Sequence, residues 1–212
     1  MVEDFSDKKE IRALYQKLLK RHGQPGISGQ WRFWCKRPKN LEEKERIIIE
    51  SILTQRANWK NVEIAVSNLK RADLLSLEKI LQTSVEKIEN LVRPSGFYKQ
   101  KAKRLKSLAK FFIQDIGGMK KATVIDTQKL RKMLLEINGV GNETADDILL
   151  YALERPVFVI DQYTKRFVEK HLPVKNFSYN FLQQMFENAI KKDYKIYQDY
   201  HALIVIEMKE KK

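Results

Sequence analysis

Cysteine is nearly absent from the chain. Its 212 residues hold one, Cys35, so neither an intrachain disulfide framework nor a cysteine-based metal cluster can form within them. Histidine is almost as scarce. His22, His171 and His201 lie far apart and give a zinc site no local signature. Only 8 glycines and 5 prolines punctuate the sequence, which is low for a loop-rich protein and fits an all-helical one. No apolar run reaches the roughly 18 residues that a transmembrane helix requires. The N-terminus is charged (Glu3, Asp4, Asp7, Lys8, Lys9, Glu10) and lacks the apolar core of a secretory signal. No membrane partner is expected, and the expected location is the cytoplasm.

What is abundant is positive charge. Lysine and arginine number 41 against 27 acidic residues, a formal net charge of +14, and 43% of the residues are hydrophobic. The chain can build a real core, and nucleic acid is the commonest partner for such a charge balance. A lysine-rich solvated surface is the plain alternative. An anionic membrane is the rival partner, although no basic amphipathic tail stands out.

Apolar residues recur at helical spacing through most of the chain. A first helix is predicted over residues 7–21, with Ile11, Leu14, Leu18 and Leu19 on one face. A break follows at 23–29. The stretch 31–38 mixes Trp31, Phe33 and Trp34 with basic residues and has no period, so it reads as loop. Ile47, Ile48, Ile49, Ile52 and Leu53 predict a deeply buried helix, and Trp59, Val62, Val66 and Leu69 a second. Short helices over 74–81 and 85–91 lead to a Pro94-Ser95-Gly96 break. A long helix around Ala102–Phe112 carries a basic outer face that includes Lys99, Lys101 and Lys103, and Gly117 and Gly118 end it. Asp126 is placed to cap a helix with Leu130 and Leu134 inside, and Asp161 to cap one running to about residue 170. Two further helices are expected near 177–190 and 194–208. Strand pairing has no support, so the fold class is all-α.

One short segment carries more than structure. Gly139-Val140-Gly141 sits between two amphipathic helices. Glycine allows a tight turn, and it leaves amide groups bare at the start of the second helix, where the helix dipole favours an anion such as a DNA phosphate. Taken alone, the same glycines make an ordinary helical hairpin.

The run Ile137-Asn-Gly-Val-Gly-Asn-Glu-Thr-Ala145, followed by Val159-Ile-Asp161-Gln-Tyr-Thr-Lys-Arg166, resembles the hairpin and catalytic aspartate of the endonuclease III superfamily of helix-hairpin-helix DNA glycosylases. That family carries an aspartate eighteen residues after a hairpin position that is lysine in its bifunctional members. Here that position is Glu143, and Asp161 falls at the matching distance. Upstream, Ile52-Leu-Thr-Gln55 and Asn58-Trp59-Lys-Asn-Val62 resemble the segment lining the base pocket and the DNA wedge, and Ser95-Gly-Phe-Tyr98-Lys-Gln-Lys-Ala102 the family's glycine-aromatic-lysine segment. The likeness spans roughly 45–170 in collinear order. Two departures select the branch. The four-cysteine iron–sulfur loop is absent, so no cluster or other cofactor is expected. Glu143 stands where the Schiff-base lysine would be, so imine chemistry has lost its nucleophile. The pattern is similar to the cluster-free 3-methyladenine DNA glycosylases, which carry Glu at this position and an Arg-Pro-Ser-Gly-Phe-Tyr segment like residues 93–98.

The resemblance implies a monofunctional DNA glycosylase of base excision repair that hydrolyses the N-glycosidic bond of an alkylated purine, acting as a monomer on double-stranded DNA with a damaged base. Asp161 would be the catalytic carboxylate, held ionised by the helix dipole and amide donors; out of context it is a plain N-cap. Trp31, Trp34 and Trp59 are candidate stacking surfaces for a cationic base, with Trp59 equally readable as core. Glu143 is either a base contact or a first-turn glutamate. Gln55 resembles the side chain that fills the gap left by the flipped nucleotide. Gly139, Val140 and Gly141 would grip phosphate, with Lys99 and Lys101 adding attraction. Two helical lobes are expected, a barrel over 39–150 and a second lobe from 1–38 and 151–212, with the DNA cleft between them. An endonuclease III-like glycosylase/lyase, a thymine or uracil mismatch glycosylase, and a non-catalytic DNA-binding module remain as alternatives.

Overall fold

A computed structural model describes residues 4–27 and 29–210 of the chain. The α-helices among them are thirteen, and no strand occurs among the described residues. The chain forms two compact units: Pro38–Ile148, and Met1–Arg37 with Leu149–Lys212.

The first unit holds α3 (Leu41–Leu53), α4 (Trp59–Arg71), α5 (Leu77–Gln82), α6 (Val85–Val92), α7 (Tyr98–Lys110), α8 (Met119–Val124), α9 (Thr127–Leu135) and α10 (Asn142–Asp147). Sequence chemistry sets where these helices begin. Asn40, Asn58, Ser76 and Ser84 each accept a hydrogen bond from the third amide of the helix that follows, and Asn40 and Glu43 complete a reciprocal capping box. Ile47, Ile48, Ile49 and Ile52 of α3 are fully buried, with Val62, Leu69, Leu105, Leu108, Leu130 and Leu134 contributing from the other helices. Phe111–Asp115 continues α7 as a π-helical turn before Gly117 and Gly118, both at positive φ, reverse the chain. The 119–124 segment, with no helix assigned from its periodicity, is α8, anchored by buried Met119 and Ala122.

The second unit contains α1 (Asp4–His22), α2 (Trp31–Trp34), α11 (Gln162–His171), α12 (Tyr179–Ala189) and α13 (Tyr194–Glu210). The 31–38 stretch is therefore partly helical and not a loop. One turn suffices to bury both tryptophans, and a four-residue turn is too short to show a period. Helix α1 packs on α12 and α13, where the Tyr200 hydroxyl donates to the Ile11 carbonyl at 2.9 Å.

The non-helical run 156–160 needs separate support, because it has no ladder of helical hydrogen bonds of its own. Side chains of α12 provide it. Glu187 accepts from the Phe158 amide at 2.9 Å, Gln183 donates to the Phe158 carbonyl at 2.7 Å, and the Ile160 amide reaches the Tyr179 hydroxyl at 3.4 Å. Phe158 stacks on Phe186 with ring centroids 4.4 Å apart. This run delivers the chain to Asp161 in a fixed position.

Candidate nucleic-acid interface and carboxylate site

In the Pro38–Ile148 unit, α9 and α10 form the hairpin. Arg131 ties its two helices together, donating to both carboxylate oxygens of the fully buried Asp146 at 2.6 and 2.9 Å and to Asn142 Oδ1 at 3.1 Å. The turn has φ +84° at Gly139, and a Cβ there would run into the Arg104 side chain, so any other residue is strained and must displace the arginine. Gly141 is exposed, and its Cβ direction is open for 4 Å. No side chain caps α10, in contrast to α3–α6. Its first amides have no intrahelical acceptor, so the helix begins with a positively polarised end that no capping side chain covers.

Val140 does not share that role. Its side chain is buried and its amide donates to the Ile137 carbonyl at 3.0 Å, so it anchors the turn. Gln55 is drawn into the hairpin from the turn that follows α3. Its Nε2 donates to the Gly139 carbonyl at 3.1 Å and to Thr144 Oγ1 at 2.9 Å, while Arg104 donates to its Oε1. In this structure Gln55 braces the turn. Glu143 is exposed in the first turn of α10. Trp59 opens α4 half-buried, with its indole Nε1 unpartnered among the described residues.

The lysines of α7 divide. Lys99 and Lys103 are exposed. Lys101 is fully buried and donates to the Leu53 carbonyl at 2.8 Å and the Ser95 carbonyl at 2.6 Å. It is thus a structural residue and not a phosphate contact. Burial first, and then neighbouring Arg104, push its ammonium down to about 8. Lys106 is similarly occupied, by the carbonyls of Leu81 and Thr83. Periodicity put these side chains near the basic face, but a long stem let their heads turn inward to orphan carbonyls. Phe97, quoted only as part of the glycine-aromatic-lysine segment, is 57% exposed at φ +47°, a conformation unusual for an aromatic residue.

In the other unit, Asp161 caps α11. Its Oδ1 accepts from the Thr164 amide at 2.7 Å, while Oδ2 faces His201 Nε2 at 3.7 Å. The side chain keeps 14% exposure. Burial would raise its pKa, but His201 and the Thr164 amide outweigh burial and hold the carboxyl below its ordinary range. The expectation of an ionised Asp161 thus gains a second cause, a histidine forty residues away that no spacing pointed to. Trp31 and Trp34 lie behind this site. They are 6% and 3% exposed and pack around Tyr151, with Trp31 also edge-on to His201 at 6.1 Å. Neither presents an open indole face for stacking. The structure therefore joins Trp31 and Trp34 to the neighbourhood of Asp161, and Gln55 to Gly139.

Residues 49–192 match the HhH-GPD superfamily of base excision DNA repair proteins. The chain belongs to that superfamily. Its HhH-GPD fold aligns over 100% of this chain and 99% of the H. pylori 3-methyladenine DNA glycosylase MagIII, solved with 1,N6-ethenoadenine, at TM-score 0.76 and 29% identity. A Methanocaldococcus jannaschii protein named "Putative DNA repair glycosylase MJ1434" is 49% identical over 168 residues, covering 77% of this chain and 76% of that protein. Endonuclease III of Thermotoga maritima is 26% identical over 131 residues, 61% of this chain and 58% of its own length. The HhH-GPD protein described here is accordingly a DNA glycosylase of base excision repair. A four-thiolate iron–sulfur cluster does not fit its residues, since Cys35 is the one cysteine and is buried. Among the described residues no group of three or more metal-ligating side chains converges, and no helix is long and apolar enough to cross a membrane.

Proposed function

We propose that this protein is a monofunctional glycosylase that hydrolyses the N-glycosidic bond of alkylated purines in DNA, with Asp161 as its catalytic carboxylate. The observation that carries the reading is the division of labour within that carboxylate. Oδ1 is fixed by the Thr164 amide, and Oδ2 is left for chemistry on a group held in its charged form. Glycosidic cleavage passes through an oxocarbenium-like state, which a fixed anion stabilises, and the same anion orients or deprotonates the attacking water. A 3- or 7-alkylated purine is already cationic and leaves without much help from a general acid. The likeness to MagIII, a 3-methyladenine DNA glycosylase solved with 1,N6-ethenoadenine, supports this substrate class, as does the net charge of +14 for a DNA partner. Monofunctionality is supported by Glu143 at the hairpin, which offers no amine for an imine.

A second reading has its own observation. Lys209 lies close enough to Asp161 to feel its charge, and burial pulls the amine below its ordinary range. A more easily deprotonated amine beside the carboxylate would suit a lyase.

Duplexes carrying 7-methylguanine, a 3-methyladenine analogue, thymine glycol, uracil or a T·G mismatch test both readings. Release of an alkylated purine, with strand breaks only after alkali, is the expected result. Strand breaks without alkali, together with a borohydride-trapped adduct lost in Lys209→Met, would replace it with the lyase. Asp161→Asn keeps a good helix cap and is expected to lower the cleavage rate by about 10²–10⁴-fold while sparing DNA binding. Wild-type cleavage in that variant would refute the role of Asp161.

A further inference from the structure

His201 is one of three histidines in the chain and sits in α13 with 4% exposure. Its Nδ1 contacts the Tyr151 hydroxyl at 2.7 Å, and its Nε2 points at Asp161 Oδ2 from 3.7 Å. Nε2 has no hydrogen-bond partner among the described residues. The Tyr151 hydroxyl lies between Nδ1 at 2.7 Å and the Gln198 carbonyl at 3.3 Å and can serve Nδ1 as donor or as acceptor. The carboxylate across from Nε2 favours a ring that carries a proton there. The opposite tautomer would set a bare nitrogen lone pair against a carboxylate.

The surroundings make this contact strong. Trp31, Tyr151 and Phe158 rings stand around the imidazole with centroids at 6.1, 5.8 and 6.5 Å. Such an apolar wall lowers the local dielectric and magnifies the attraction between Nε2–H and an anion 3.7 Å away. The groups facing Asp161 are His201 and Lys209 from α13 and the Thr164 amide from its own helix.

We propose that His201, set by the Tyr151 hydroxyl, is a positioning residue that orients the Oδ2 side of Asp161 and keeps that oxygen anionic while the damaged base is released. The inference rests on Asp161 being the catalytic carboxylate. Thr164 fixes Oδ1, and His201 faces Oδ2 from 3.7 Å, so the carboxylate keeps its orientation and its charge while Oδ2 stays available for the chemistry. Tyr151, Trp31 and Trp34 act through the histidine and not on the base.

The test is the pH profile of single-turnover cleavage of a duplex containing 7-methylguanine, measured on the full chain. Loss of the His201 donor in His201→Leu is expected to move the acid limb up by about one pH unit, so that the rate on that limb falls about tenfold. His201→Gln, whose amide can reach the Nε2 position, is expected to restore most of the limb. Tyr151→Phe keeps the ring packing and removes only the hydroxyl, and is expected to give an intermediate shift. If His201→Leu does not fold, His201→Gln and Tyr151→Phe decide between them: unchanged limbs in both overturn the inference, and a shift in Tyr151→Phe alone sustains it. If all three variants keep the wild-type limb while Asp161→Asn is inactive, the histidine role fails and the assignment of Asp161 stands. If Asp161→Asn itself cleaves normally, the assignment fails and the inference with it.

Discussion

Alanine at Gly139 and alanine at Gly141 have opposite expected consequences, though the two sites are separated by one residue. At φ +84° a Cβ on residue 139 costs about 1–2 kcal/mol of backbone strain. The methyl group would also lie 2.2 Å from Arg104 Nε and 2.6 Å from Cδ, so the arginine has to move. Moving it breaks the charged hydrogen bond to Gln55, worth roughly 1.5 kcal/mol. Reduced freedom of the unfolded chain returns about 0.4–1 kcal/mol. The net loss is about 2 kcal/mol, which for a chain of this length lowers the melting temperature by roughly 4–8 °C. Gly141 has φ −94° and open space around its Cβ direction, so Gly141→Ala is expected to stay within about 0.5 kcal/mol of wild type. Its methyl group instead occupies the approach to the α10 amides. We expect roughly tenfold weaker binding to an abasic-site duplex, a loss of about 1.4 kcal/mol. Thermal unfolding by circular dichroism and fluorescence anisotropy on labelled DNA measure the two effects. Equal melting temperatures for the two variants would refute the Arg104 argument. Undiminished DNA binding by Gly141→Ala would refute the hairpin as a phosphate cradle.

Two further outcomes follow from buried charge. Arg131→Ala leaves Asp146 inside the hairpin without its bidentate partner, and is expected to cost about 3–5 kcal/mol in urea unfolding; a loss under 1 kcal/mol would mean that other groups hold α9 to α10. Lys101 has a folded pKa of about 8, below the unfolded 10.5, so between these values the unfolded chain binds the extra proton and stability rises with pH. Measured against Lys101→Met, the wild type should gain about 1.4 kcal/mol per pH unit from pH 8 to 10, and a flat difference would refute the buried-lysine assignment.

Helical periodicity and caps were legible because both are local. Asn138–Gly141 marked the turn, and Asp126 and Asp161 each cap a helix as their positions implied. The resemblance in the 137–166 stretch carried the superfamily, which the match over 49–192 shows. What escaped depends on contacts between distant segments. Lys101 looked like its exposed neighbours until Leu53 and Ser95 carbonyls claimed its head. Trp31 and Trp34 looked like free aromatics until Tyr151 was seen against them. His201 gave no signal, because its two partners lie fifty and forty residues upstream.

A residue that caps a helix and also reaches a reacting sugar has to satisfy two separate requirements. Capping at position 161 admits short oxygen-bearing side chains, Asn, Asp, Ser or Thr, that can reach the Thr164 amide. The proposed chemistry admits only an anion, Asp or Glu, and Glu is a methylene too long to fold back on the start of its own helix. Aspartate is the single member common to both sets. The site therefore has no neutral neighbour in sequence space: every replacement gives up either the fastening of α11 or the charge, and most give up both.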